Sequence, residues 1–123
     1  MKIERYKTEI KNFIWRLRMV RLKEKLVHEA IVYFSQWGDV VKIYESDSDC
    51  IHLFIITNVN SVLRDDNGIN WYKITSDFEL SFFRGNSCSE NGFMLEISPV
   101  EIGLEEARCS CHNMKVIWER KTA

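Results

Sequence analysis

The chain has 123 residues, of which 46% are hydrophobic and 28% charged, with one proline and five glycines. That balance excludes a disordered or low-complexity chain and suits one globular domain over 1-123. The net charge of −1 hides a split: residues 1–25 hold nine basic and three acidic side chains (+6), and the remaining 98 hold 8 basic and 15 acidic (−7). A division of this kind speaks of partners or of internal docking, not of fold.

Charges interrupt the first 25 residues too often for a secretory signal, which needs an apolar stretch of roughly 7–15 residues. No window approaches the roughly 18 apolar residues of a membrane span. The expectation is therefore a cytoplasmic chain with no membrane partner, whose Cys50, Cys88, Cys109 and Cys111 stay as free thiols in a reducing compartment.

Apolar residues at Ile3, Tyr6, Ile10, Phe13, Leu17, Val20, Val27, Ile31 and Phe34 alternate steps of three and four, with Glu24 as the break. This is a heptad-like stripe, widened by Ile14, Leu26, Ala30 and Trp37. It predicts an amphipathic helix over about 2–36, stopped by Gly38, with a break near Arg21 to Lys23 as the variant that gives two helices. Val40 to Glu45 is a β-branched run, and Ser46 to Asp49 a polar turn. Cys50 to Thr57 is apolar at nearly every position and reads as a central strand buried on both faces. Asp65-Asp66-Asn67-Gly68 is a turn, and Ile69 to Thr75 a strand.

Phe78, Leu80 and Phe82 alternate with Glu79, Ser81 and Phe83 at strand period. A loop over Asn86 to Gly92 leads to a strand at Phe93 to Ser98, which Pro99 ends. Glu101 to Ala107 suits a short helical turn. Arg108 to Glu119 closes the sheet, with Val116 and Trp118 facing in. Together these elements predict an α+β fold: a long N-terminal helix packed on a five- or six-stranded, mostly antiparallel sheet.

Candidate chemistry is sparse. Cys109, Cys111 and His112, with Cys88 upstream, have the donor types of a Cys₃His zinc site, but paired zinc cysteines favour two to four intervening residues and here there is one. Small core residues explain them better, so no metal is expected. Cys50 and His52 share one strand face, with no third group to orient the imidazole. A buried, hydrogen-bonded histidine is the simpler reading. Trp71-Tyr72 and Phe82-Phe83 are candidate stacking platforms, but alternation leaves at most one of each pair exposed. No phosphate loop, catalytic triad order or metalloprotease helix occurs, so no catalytic residue and no cofactor is expected.

Carboxylates gather at Glu45, Asp47 and Asp49 in one turn and at Asp65 and Asp66 in another, making the non-helical part anionic. The strand pair read at Phe78-Glu-Leu-Ser-Phe-Phe83 and Phe93-Met-Leu-Glu-Ile97, the size and the α+β build resemble those of small bacterial immunity proteins that neutralise polymorphic or contact-dependent toxins. The resemblance covers about half the chain. It implies a non-catalytic, protein-binding chain that occludes the active site of a cognate toxin. For a nuclease toxin with a cationic cleft, Glu45, Asp47, Asp49, Asp65 and Asp66 are the expected partner-binding residues, through electrostatic steering.

Two other readings compete. The basic helix over residues 1–25 suits nucleic acid or assembly, a homodimer included, and requires Arg16, Arg18, Arg21 and Lys23 to be exposed. A small-molecule pocket in a curved sheet requires a cavity lined by Trp71, Phe82 and Trp118.

Overall fold

Helix α1 (Lys2–Phe34) opens the fold as 33 unbroken residues, a rod of roughly 50 Å at 1.5 Å per residue. The break considered near Arg21 does not occur. The computed structural model describes residues 2–47, 50–111 and 113–121. Past Phe34 the chain turns through Gly38 into the sheet. The orphan carbonyls there are capped from the far end of the chain. Arg120 Nη2 donates to Ser35 O (2.9 Å) and Trp37 O (2.8 Å), and Arg120 Nε to Val40 O (2.9 Å). A guanidinium suits this place because it supplies several donors in a fixed fork, with positive charge at the negative end of a helix.

Strands β1 (Val40–Asp47) and β2 (Ile51–Thr57) form an antiparallel pair. Helices α2 (Trp71–Gly85) and α3 (Cys88–Asn91) then lead to β3 (Leu95–Glu101). A 3₁₀ turn (Ile102–Leu104), α4 (Glu105–Cys109) and β4 (Met114–Glu119) follow. The sheet has four strands in the order β3-β2-β1-β4. β4 is antiparallel to β1, but β3 runs parallel to β2. The expected five or six strands and mostly antiparallel build are thus corrected to a four-stranded mixed sheet.

The correction comes from one segment. The stretch read as strands at Ile69 to Thr75 and Phe78 to Phe83 is the single helix α2. Asn70 caps it, its side chain accepting from Lys73 N at 3.2 Å, as an N-cap should. Its inward residues Trp71, Thr75, Phe78 and Phe82 step by four, three and four, the helical period. Over Phe78, Leu80 and Phe82 alone, helical and strand periods look alike. Leu80 separates them, since it is 47% exposed. α2 also supplies the long crossover that a parallel β2–β3 pair needs.

Pro99 does not end its strand; it lies inside β3. β3 is an edge strand, and the outward N–H of Ile97 is taken by Glu79 Oε1 of α2 at 2.7 Å. Pro99, two residues on, directs its nitrogen to the same outer side, so its missing N–H costs no ladder bond.

One sheet face carries the main core. Leu26, Ala30 and Phe34 of α1 meet Ile43, Leu53, Ile55 and Ile97 of the sheet and Trp71 and Phe82 of α2. The other face holds a smaller cluster of Ile56, Val100 and Cys109 beneath α4. Val116, expected to face in, is 43% exposed, whereas Ile117 and Trp118 pack on the main core.

Candidate functional site

Only half of α1 is used by the core. From Met19 onward its inward stripe is Met19, Leu22, Leu26, Ala30 and Phe34, the last three fully buried, with Ile31 and Tyr33 packed beside it. Before that, every residue from Ile3 to Arg18 is exposed. Among them are Ile3, Tyr6, Ile10, Phe13, Ile14, Leu17 and, one turn on, Val20, at 41–71% exposure. At roughly 100° per residue these seven fall in one arc of about 120°. The docked stripe is centred roughly 160° away round the same axis. The free arc is therefore distinct from the core stripe, whose own continuation toward the N-terminus runs through Met19 to the 52%-exposed Trp15. It is a second apolar face, turned nearly opposite to the first.

Cations border it. Lys7, Lys11 and Arg18 line one side, and Arg5 and Arg16 the other, with Arg21 at its end, all exposed. Glu24, also exposed, closes the apolar run. Contiguous apolar surface above a few hundred Å² with a charged rim marks an interaction site on a soluble protein. A projecting helix of this length is also marginal alone in water, because most helical stability comes from packing an amphipathic face.

At the point where the helix leaves the body, Lys23 Nζ meets Glu45 Oε1 at 2.8 Å, with the Glu45 side chain 9% exposed. Of the four basic residues that a helix-borne interface requires to be free, Arg16, Arg18 and Arg21 are exposed, and Lys23 is half-buried in this pair.

The acidic set does not assemble into one surface. Glu45 faces the core side and pairs with Lys23. Asp65 is buried and organises the loop before α2. Its Oδ1 accepts from Asn67 N (2.9 Å) and Ile69 N (2.8 Å), and its Oδ2 from Trp71 Nε1 (3.1 Å). Burial pushes the Asp65 carboxyl up, but these three donors outweigh it and hold it below its ordinary 3.8. Asp66 is exposed beside it, and Gly68 completes the turn at φ +78°. Asp47 ends β1, and Asp49 lies outside the described residues. Two of the five expected partner-binding carboxylates thus have their charge committed inside the fold.

One polar trio escaped sequence reasoning. His52 of β2 faces Ser98 of β3, Nε2 to Oγ 2.8 Å, and its Nδ1 lies 3.8 Å from Glu96 Oε2. The imidazole stacks on Phe54, and burial lowers its pKa despite Glu96. The parallel β2–β3 register brings the three together, and no sequence spacing reveals that pairing. The order serine, imidazole, carboxylate is that of an activated nucleophile. Yet Pro99 follows Ser98 and has no N–H to offer a developing oxyanion. Glu96 is 60% exposed and beyond hydrogen-bond reach. The arrangement satisfies a half-buried histidine, as expected for His52, and needs no catalytic role.

On the same face, Glu105 of α4 accepts from Lys42 Nζ (2.7 Å) and Tyr44 Oη (2.5 Å). Hydrogen bonding to Glu105 pushes Lys42 up to about 12, and the two donors draw Glu105 below its ordinary value against the effect of burial. This cluster fastens α4 to β1.

The pocket expected at Trp71, Phe82 and Trp118 is filled: Trp71 and Phe82 are buried in the core and Trp118 packs against it. An open groove of about 660 Å³ runs instead between α1 and α2, lined by His28, Glu29, Tyr33, Asp77 and Phe78 among others. Cys109 ends α4, buried, while Cys111 is exposed, so they do not share a strand face; Cys88 is buried in α3. His112 lies outside the described residues. Among the described residues no three histidine, cysteine or acidic side chains converge as metal ligands, and no helix is long and apolar enough to cross a membrane.

Compared with protein-family models, curated proteins and solved structures, the chain finds no match.

Proposed function

We propose that this chain is a non-catalytic binding module whose working surface is the projecting first half of α1. The observation that carries the reading is the second apolar face of the helix. Seven exposed apolar side chains lie on one arc, turned away from the core, with cations on both borders. Leaving that much apolar surface in water is costly, at about 25 cal/mol per Å², and a partner that covers it gains the same term.

Among the readings raised by the sequence, this favours assembly through the N-terminal helix. Nucleic acid accounts for the cations but leaves the apolar arc unused, since phosphate contacts are made by charge and not by Phe13 or Ile10. Occlusion of a toxin by an anionic face shares the same broad class, a protein that binds a protein. Its support is weaker, because Glu45 and Asp65 turn their charge inward.

The two protein-binding readings predict different contact points. A photo-activatable cross-linker placed at position 13, in the middle of the arc, should yield a protein adduct in the native cell. One placed at position 66, in the acidic loop, should not. An adduct from 66 with none from 13 would return the interface to the acidic loops.

A further inference from the structure

The exposed strip has a symmetry of its own. Ile3, Tyr6, Ile10, Phe13, Leu17 and Val20 step by three, four, three, four and three, a series that reads the same in both directions. A strip of that kind is complementary to its own reverse. We propose that residues 3–20 of α1 pair antiparallel with the same segment of a second copy of this chain, giving a two-fold dimer. This rests on the reading of that helix half as the working surface.

In the antiparallel pair Ile3 lies across from Val20 of the second copy, Tyr6 from Leu17, and Ile10 from Phe13. Each aromatic meets an aliphatic side chain and Ile3 meets Val20, so no layer stacks two aromatic rings. The contact is isologous, as a two-fold axis requires.

Charge selects the direction. On one flank of the strip, Glu9 and Arg16 fall in the same interval between layers, so the antiparallel arrangement sets Glu9 against Arg16 of the second copy, twice by symmetry. On the other flank Lys7 falls beside Ile14, where its methylene stem covers apolar surface. A parallel arrangement would instead set Arg16 against Arg21 and leave Glu9 facing Ile14. Arg5, Lys11 and Arg18 lie outside the seam in either case. Glu9 is available for the contact: its link to Arg5 is a loose 3.6 Å, and its side chain is 64% exposed.

The area suffices. Seven side chains per copy each lose on the order of 100 Å², so the pair buries on the order of 1,400 Å², within the roughly 1,200–2,000 Å² of a stable interface. The body does not obstruct it, because the docked stripe faces the opposite way. The second copy's strip ends across from Val20, overlapping the docked half only at Met19, which faces the core side of the helix.

The test is sedimentation equilibrium of the full chain with a charge-swap set. Glu9→Arg and Arg16→Glu should each weaken dimerisation about tenfold, and the double swap should restore it. These are exposed positions, and circular dichroism checks that helix and body remain folded. If Arg16→Glu strengthens association while Glu9→Arg does little, the pairing is parallel and the proposal is overturned. A wild-type chain monomeric at high micromolar concentration overturns it as well. In that event the same monomer is titrated with single-stranded RNA and with phosphatidylglycerol vesicles, following amide exchange of residues 3–20. Protection by either means that the surface was right and the occupant wrong. No protection by either, together with no cross-link from position 13, would withdraw the underlying reading too.

Discussion

Asp65 shows how little a side chain's charge says about where it will be used. In the sequence it is one of two adjacent aspartates in a turn. In the fold its carboxylate is the acceptor for two backbone N–H groups and the Trp71 indole, and it holds the loop that delivers Asn70 to cap α2. A carboxyl held below its ordinary value stabilises the fold above that value and loses the contribution as pH falls through the depressed one. Stability should therefore decline on acidification below about pH 4. Asp65→Asn, which turns an amide N–H₂ toward N–H donors, should lower the melting temperature at neutral pH and flatten that acid limb. Equal melting curves for the two proteins across pH 3 to 7 would show that the carboxylate does not organise the loop. Asp66, exposed next door, serves as the neutral control: Asp66→Asn should leave the curve where it was.

At the scale of elements, α2 is where sequence and structure part. Its residues are rich in aromatic and β-branched types, which favour strands, and Phe78, Leu80 and Phe82 have strand period. The helical signal was present in Asn70 as a cap and in Trp71, Thr75, Phe78 and Phe82 at steps of four, three and four, but a strand reading breaks that stripe into two pieces. With the helix missed, the parallel β2–β3 pair was out of reach as well, and with it the meeting of His52, Ser98 and Glu96. α1, β1, β2, the Asp65 turn and the short helical segment after Glu101 were legible, because each has one dominant local signal. Pro99 misled for a definite reason: proline stops a strand only where the lost N–H faces a neighbour, and here Ile97 and Glu79 mark that side as the outer edge. A helix at α2 sets Leu80 and Phe82 apart, whereas a strand would place both on one face. Leu80→Lys should change unfolding free energy by under about 0.5 kcal/mol, and Phe82→Ala should cost about 3–5 kcal/mol. Similar losses at both positions in a urea titration would favour a strand with both side chains inside.

At the scale of the whole molecule, the charge split of the sequence becomes a division of labour along one helix. The basic first half stands clear of the acidic remainder; Lys23 and Glu45 join them at the point of departure, with Arg5, Lys7, Lys11, Arg16, Arg18, Arg21 and Lys25 exposed. The stripe could not reveal this by spacing alone. Its three-and-four rhythm runs from Ile3 to Phe34, yet the face presented to the core is centred on Met19, Leu22, Leu26, Ala30 and Phe34, and the arc from Ile3 to Val20 points nearly opposite. Helix continuity was readable in the sequence; which arc the body would cover depended on where the sheet and α2 sit.

One helix carries two apolar faces, one packed on the body and one exposed, and Phe13 and Phe34 test that division on equal terms. They are the same residue on the same helix, 67% and 0% exposed. Unfolding free energy in dilute solution, where chains do not associate, should fall by about 3–5 kcal/mol for Phe34→Ala and by no more than about 0.5 kcal/mol for Phe13→Ala. Comparable losses for the two substitutions would mean that the first half of α1 packs on the body after all, and would contradict the account.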